Sequence, residues 1–401
     1  MSEQALPKMK VLDLTWYIAG PYCTKLLADQ GADVVKIEKP GEGDPARSIG
    51  PFLEDEPGPD RSGLFLYLNT SKRSVTLNLK TAAGVRLFKE LAREADAVVE
   101  NFSPGTMARL GLDYETLEKI NPRLVMTSIS NFGQTGPYRD YKAAHIVEDA
   151  TGGWMYFVGE LDREPLQLGG WLTHFVAGLS AAVATAAALY HQRETGEGQY
   201  VDLSMMETMI PVQNNNTTMY SYLRRLRKRV GNRFVFGFGY IASCQDGYLG
   251  VNAYTHPQWE ELCRFIGMPE MLEEPKYKAL FSRREELARE ITERIDPWFR
   301  DKKKEETFHA AQERRIPLGL IPSTEDLTNL VQLKAREWFV DIEHPVTGKV
   351  AYPGAPFKMT DTPWGIRRRA PLLGEHNWEL YGERLGYSRD DLVRLKESGA
   401  I

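Results

Sequence analysis

A histidine and two acids share one short stretch of this sequence, His145, Glu148 and Asp149, and a second histidine, His174, follows after a Gly-Gly turn. His145 and Asp149 are four apart, so a helix places them on one face. A histidine–carboxylate pair can exchange protons at neutral pH, and it can equally be a plain ion pair on a helix surface. His174 stands just before an uncharged run of small apolar residues, Val176 to Leu189. It reads either as a satisfied, buried histidine or as a catalytic one. Lys72 and Arg73 could hold phosphates, or could be two solvated charges at a strand end.

These side chains need elements to hold them. Lys10 to Leu14 reads as a strand, Tyr22 to Gln30 as a helix and Asp33 to Glu38 as a second strand, which together make a βαβ unit. No G-x-G-x-x-G opens the helix, so a nucleotide here is bound in another way than by the dinucleotide fingerprint. Strands at Val75 to Leu79, Ala97 to Glu100 and Leu124 to Ser128 alternate with helices. Alternation of this kind predicts a mostly parallel sheet covered on both faces. Asn101 and Phe102 then follow a strand's C-terminal end, where open α/β sheets bind ligands. Ala143 to Trp154 is predicted helical. The Val176 to Leu189 run predicts a helix buried on most sides, stopped by the loop from Arg193 to Gln199 and followed by a strand, Tyr200 to Leu203.

The chain has 401 residues, enough for two domains, with ordinary charged and apolar fractions. A net charge of -5 gives no reason to expect a nucleic-acid partner, though local basic patches remain open. Cys23, Cys244 and Cys263 lie far apart, without metal-ligand spacing, which suits a reducing compartment and argues against a disulfide framework or a metal site. The first ten residues hold no apolar signal-peptide core, and Val176 to Leu189 falls short of the roughly 20 residues of a membrane span. The expectation is a cytoplasmic protein with no membrane partner. Residues 1–210 are expected to form the N-terminal part of a large domain, 211–233 a linker, 234–320 a smaller α+β domain, and 321–401 a return to the first.

Six segments bring a family into view. KVLDLTWYIAGPYCTKLLADQGADVVKIEKPGEGDPAR, LNTSKRSVTLNLK, VVENFSPGTMARLGLDYETL, NPRLVMTSISNFGQTGPY, RETGEGQYVDLSMME and APLLGEHN occur in this order. In them the chain resembles the family III CoA-transferases over almost its whole length. The resemblance implies a Rossmann-like large domain made from both chain ends, a small inserted α+β domain, and two subunits threaded as interlocked rings. It implies acyl-CoA and carboxylic acid substrates, with no metal. Carried over by position, Lys39, Lys72, Arg73, Asn101, Phe102, Arg109 and Lys142 resemble the CoA-contacting set, and cations suit the phosphates. In segments Trp16 to Ile18, Trp154 to Phe157 and Phe234 to Tyr240, aromatic residues could line an acyl pocket or simply pack a core.

The resemblance also implies an aspartate nucleophile that forms a mixed anhydride and then an enzyme-bound CoA thioester. It stands four residues before Gly178, where this chain has His174. The racemase branch's upstream histidine falls at Ala144, one position from His145. Members of the benzylsuccinate type are built from two related chains, only one of which carries the aspartate, and this chain is similar to the other. That reading pairs it with an Asp-bearing homologue and a donor such as succinyl-CoA. The other readings are a self-sufficient isomerase or racemase using His174 with His145, Glu148 or Asp149, a transferase using Asp140, Glu148 or Asp149 instead, and a CoA-binding protein without chemistry.

Overall fold

The computed structural model describes residues 4–213, 216–232, 238–278 and 284–401. Its framework is a six-stranded, all-parallel sheet in the order β3-β2-β1-β4-β5-β6. The strands are β1 (Lys10–Asp13), β2 (Asp33–Glu38), β3 (Arg73–Thr76), β4 (Ala97–Glu100), β5 (Val125–Ser130) and β6 (Tyr200–Ser204). Successive residues on each strand face opposite cores. Val11, Val34 and Val99 pack into one, and Leu12, Val35 and Val98 into the other. This two-sided burial is why the strands read as continuous apolar runs. The strand order reverses between β1 and β4, which opens a crevice at their C-terminal ends.

Helices α1 (Ala19–Asp29), α2 (Ala82–Ala92), α3 (His145–Thr151) and α4 (Leu172–Thr195) belong to the same unit. Three expectations about α4 change. It begins before His174 and places that residue in its own first turn. It runs on to Thr195, where Gly196 takes the left-handed conformation (φ 83°) that ends a helix. Nor is it buried on most sides. Ala177, Ala181, Thr185 and Ala188 face the core, whereas Leu179, Val183 and Tyr190 on the other side are exposed. By length and composition this 24-residue helix could cross a membrane. Here it packs on α1 and β5, and the Thr185 and Thr127 hydroxyls meet at 2.8 Å. The predicted helix from Ala143 shortens to α3, and the one predicted from Tyr22 starts earlier, at Ala19.

The second unit comprises residues 155–167 and 218–334. Sequence reading did not separate 155–167 from the large domain. A three-stranded antiparallel sheet of β7 (Phe238–Cys244), β8 (Gly247–Ala253) and β9 (Leu318–Leu320) packs its inner face on α5 (His256–Phe265) and α6 (Arg284–Arg300). Phe238, Trp259, Ile291 and Phe299 fill that core. From residue 335 the chain belongs to the first unit again, with the hairpin β10 (Phe339–His344) and β11 (Gly348–Pro353) and a last helix, α7 (Arg389–Glu397). The Tyr381 hydroxyl donates to the Thr76 carbonyl at 3.0 Å, which anchors this return on β3.

Candidate active site

The crevice at the strand ends is organised by Asn101. Its Oδ1 accepts the Trp16 N–H at 2.8 Å and its Nδ2 donates to the Trp16 carbonyl at 2.8 Å. One amide thereby ties the loop after β4 to the loop after β1. Trp16 meets the Phe102 ring edge to face at 5.3 Å. The Phe102 N–H donates to Oε2 of Glu100 at 2.8 Å. Burial pushes the Glu100 carboxyl up to about 7, and Asp202 adds to this. On the other side of Trp16, Tyr17 takes a left-handed backbone (φ 66°) with its N–H on Asp44 Oδ1 at 3.0 Å.

Beside this clamp lies a polar cavity of about 250 Å³. Four of the predicted CoA residues line it together: Asn101, Phe102, Arg109 and Lys142. Arg139, Ser130 and Asn131 are also in its wall, together with the exposed Asp140. Arg109 and Arg139 close on Gly105, which sits in the left-handed region (φ 75°). A Cβ there would fall 3.3 Å from one guanidinium and 3.4 Å from the other. Among the described residues Lys142 and Arg109 pair with no carboxylate, and Arg139 has only Asp140, at 3.9 Å. Three cations around one cavity, two of them without a carboxylate partner and the third with an exposed one, suit a polyanionic ligand.

The other predicted cations lie elsewhere. The Lys72 ammonium is completely buried. It sits 3.0 Å from Asp13 Oδ2 and within 2.9 Å of the Pro21 carbonyl, Thr24 Oγ1 and Asn69 Oδ1. Burial pushes it down to about 8. Burial would raise Asp13, but Lys72, Lys36 and two hydroxyls outweigh it and hold that carboxyl at about 2. The pair is therefore ionic at neutral pH and ties β1 to the segment before β3. Arg73, at the start of β3, is held by Asp33 and by Glu379 at 2.6 Å, at the end of the sheet opposite the crevice. Lys39 follows β2 on the crevice side, is exposed, and pairs with Glu42.

His174 stands at the start of α4. α4 is brought close to α1 by Gly178, where a Cβ would lie 2.5 Å from the Ala19 carbonyl oxygen. Phe175 meets Tyr22 edge to face at 4.9 Å. The His174 Nδ1 is buried without a hydrogen-bond partner among the described residues, and Nε2 lies 3.8 Å from Glu148 Oε2. Trp171 touches both His174 (5.5 Å) and His145 (4.8 Å) edge to face. Burial, and then the neighbouring His145, push His174 down to about 4, so its imidazole is neutral at physiological pH. Glu148 is buried, and burial and Asp149 push it up to about 7. Asp149 accepts the Thr173 hydroxyl.

Sequence reasoning missed Arg139 and Asn131. The available signal was their place in the loop after β5, at the ligand end of a parallel strand. Of the expected acyl-pocket segments, Trp16 and Tyr17 are in the crevice loop. Tyr156 is half-exposed, Phe238 and Tyr240 are core residues of the second unit, and residues 234–237 lie outside the described residues.

Comparison with known proteins gives this geometry a context. The profile of CoA-transferase family III matches residues 6–377. A formyl-CoA:oxalate CoA-transferase from Rhodopseudomonas palustris is 34% identical over 421 residues, spanning 99% of this chain and 97% of its own. A succinyl-CoA:mesaconate CoA-transferase from Haloarcula hispanica is 36% identical over 389 residues, spanning 94% and 96%. Among solved structures, a CaiB/BaiF family protein from Brucella suis superposes with a TM-score of 0.84 at 31% identity, over 95% of this chain and 99% of that one.

Proposed function

Because the chain belongs to CoA-transferase family III, we propose that it works as one of two related subunits that move CoA from a donor such as succinyl-CoA to a carboxylic acid. The observation that carries this reading is His174. An imidazole stands where the family's nucleophilic aspartate is expected, and position 174 cannot form the anhydride. An Asp-bearing homologue supplies that chemistry, and the two chains associate as interlocked rings in the cytoplasm. The acceptor fits the benzylsuccinate type, an aromatic dicarboxylic acid of anaerobic aromatic degradation. Trp16, Tyr17 and Phe102 at the crevice suit such a ring.

CoA binds through Arg109, Lys142 and Arg139 on its phosphates, with Phe102 against the cofactor and Lys39 at the outer edge. Asn101 positions the Trp16 loop. Lys72 and Arg73 support the sheet from within and below. A second reading, acid/base chemistry alpha to a thioester, is favoured by the contact of His174 with Glu148.

The test is a transfer assay with succinyl-CoA and benzylsuccinate, mesaconate and oxalate as acceptors. It compares the chain alone with the chain co-expressed with an Asp-bearing homologue. Transfer that needs both chains supports the two-subunit reading. Full transfer by the chain alone removes it. Exchange of the alpha proton of an acyl-CoA by the chain alone supports the second reading.

A further inference from the structure

Asp140, Glu148 and Asp149 are the candidate carboxylates upstream of His174, and their surroundings separate them. Asp140 is 82% exposed beside Arg139. Asp149 is buried and occupied by the Thr173 hydroxyl. Glu148 is 1% exposed and only half occupied. With the Asn131 amide oriented as its neighbours require, its nitrogen donates to Glu148 Oε1 at 3.1 Å and its oxygen accepts the Ala143 N–H at 3.3 Å. Its Oε2 accepts no hydrogen bond from any described residue and points at the imidazole of His174, 3.8 Å away. Asn131 is also a wall of the cationic cavity. A single amide therefore links the CoA cavity to a buried carboxylate with one vacant oxygen, aimed at the position of the missing aspartate.

We propose that Glu148 is the acyl-accepting carboxylate of this chain, reaching from α3 to the place that an aspartate at position 174 would serve. This rests on the CoA-transferase reading and adds to it. The two-subunit assembly then holds two working sites, one using the homologue's aspartate and one using Glu148.

The chemistry balances without a co-reactant. Oε2 of the ionised Glu148 attacks the thioester carbonyl carbon, the C–S bond breaks, and CoA leaves as thiolate. The product is a glutamyl–acyl anhydride. The thiolate then attacks the glutamyl carbonyl carbon, which releases the donor's carboxylate and leaves a glutamyl-CoA thioester. The acceptor carboxylate repeats the two steps in reverse and restores Glu148. No proton and no electron is gained or lost. Among the described residues no cation touches this carboxylate to quench it, and a carboxyl raised toward neutrality is a stronger nucleophile than an ordinary one. His174 is a positioning residue here. Its neutral ring keeps the vacant oxygen out of an ion pair.

The experiment maps the covalent intermediate. The full chain is co-expressed with an Asp-bearing homologue whose aspartate is replaced by alanine. It is then treated with succinyl-CoA, formyl-CoA or acetyl-CoA and trapped with hydroxylamine or borohydride. Peptide mass spectrometry is expected to find the hydroxamate or alcohol on residue 148, absent in Glu148→Gln. Wild-type mapping needs no variant, so a folding defect in Glu148→Gln does not blunt it. Protein that binds free CoA, measured by calorimetry, but yields no adduct on residue 148 with any of the three donors overturns the proposal. An adduct on another residue that persists in Glu148→Gln overturns it as well. Protein that binds no CoA overturns the CoA-transferase reading together with it.

Discussion

Nε2 of His174 and Oε2 of Glu148 face each other at 3.8 Å from the first turns of two packed helices, and their proton affinities move in opposite directions. The imidazole is pushed down to about 4 and the carboxyl up to about 7, both mainly by burial. Burial disfavours whichever form is charged, so near neutrality the pair is an uncharged imidazole beside a half-ionised acid. Two neutral-leaning groups in contact are the reverse of a salt bridge. The arrangement leaves the carboxylate available for chemistry.

A pH dependence of stability follows from Glu148. Its folded value, about 7, lies above the ordinary 4.5. The native state therefore holds this proton more tightly than the unfolded chain does. The stability it lends is whole below about pH 4.5, fades between 4.5 and 7, and is gone above 7. Glu148→Gln should flatten that decline and be the more stable protein at pH 8. Urea midpoints at pH 5, 6 and 8 for both proteins check this. An unchanged pH slope in the variant would show that the carboxyl titrates normally.

His174→Asp tests the two-subunit reading from the other side. It returns a carboxylate to the position where the family is expected to hold one. The variant alone should then transfer CoA at least about 100-fold faster than the wild-type chain alone, the scale expected of placing a nucleophile at the family's own position. Two carboxylates would then share the site, so the gain should shrink at low pH as one of them stays protonated. A variant that binds CoA and is no faster than wild type would show that the residue at position 174 does not limit transfer by this chain alone.

The parallel sheet was legible because its signals are local. Val11, Leu12, Val34, Val35, Val98 and Val99 are apolar on both faces, and only a doubly covered sheet explains that pattern. The crevice was legible too, since Asn101 and Phe102 follow directly on β4. The cation roles were not legible. Lys72 and Arg73 are adjacent in sequence, yet one is drawn inward by Asp13 and the other is held by Asp33 and Glu379, 40 and 306 residues away. No spacing rule reports a partner at that distance. The boundary of α4 was not legible either, because His174 is polar and stands outside the apolar run. The α1 contact at Gly178 supports the preceding turn as helix.

The cations should therefore divide into two behaviours. Arg109→Ala, Arg139→Ala and Lys142→Ala should each weaken CoA binding by about 10-fold or more, the scale of one lost charge-assisted hydrogen bond. Their stability should stay close to wild type. Lys72→Met should do the opposite, because it leaves Asp13 buried without its closest cation. Breaking a buried pair costs about 3 kcal/mol or more. Calorimetric CoA titrations and denaturation midpoints on the four proteins separate the groups. Unfolding by an arginine variant, or a selective loss of CoA affinity in Lys72→Met, would contradict the division.

Gly178 fixes how closely α4 approaches α1. A Cβ at this position would meet the Ala19 carbonyl oxygen at 2.5 Å, and the nearest Tyr22 atoms at 3.1 Å. Backbone cannot step aside as a flexible side chain can, so Gly178→Ala must part the helices. The cost should be about 1–3 kcal/mol in stability. Since His174 lies one turn before Gly178 on the same helix, the His174–Glu148 distance should change with it. Any adduct formation at residue 148 should fall more steeply than stability does. Equal stability of Gly178→Ala and wild type in urea would mean that the helices are less tightly joined.

Asn101 is the sharpest test of the crevice, because Asn101→Asp changes one atom of the side chain. Oδ1 still accepts from the Trp16 N–H, but the donor to the Trp16 carbonyl is lost, and a carboxylate oxygen takes its place against that carbonyl oxygen. The bond that tied the two loops becomes a repulsion, and the new charge faces a cavity built for an anion. Both effects act on the ligand, and neither touches the core. CoA affinity should fall by about 10-fold or more, with a loss that grows as pH rises through the carboxyl's own titration. Asn101→Ala removes the clamp without adding the charge, so it should cost less and show no such pH dependence. Identical losses in the two variants, independent of pH, would mean that the residue serves only to hold the Trp16 loop.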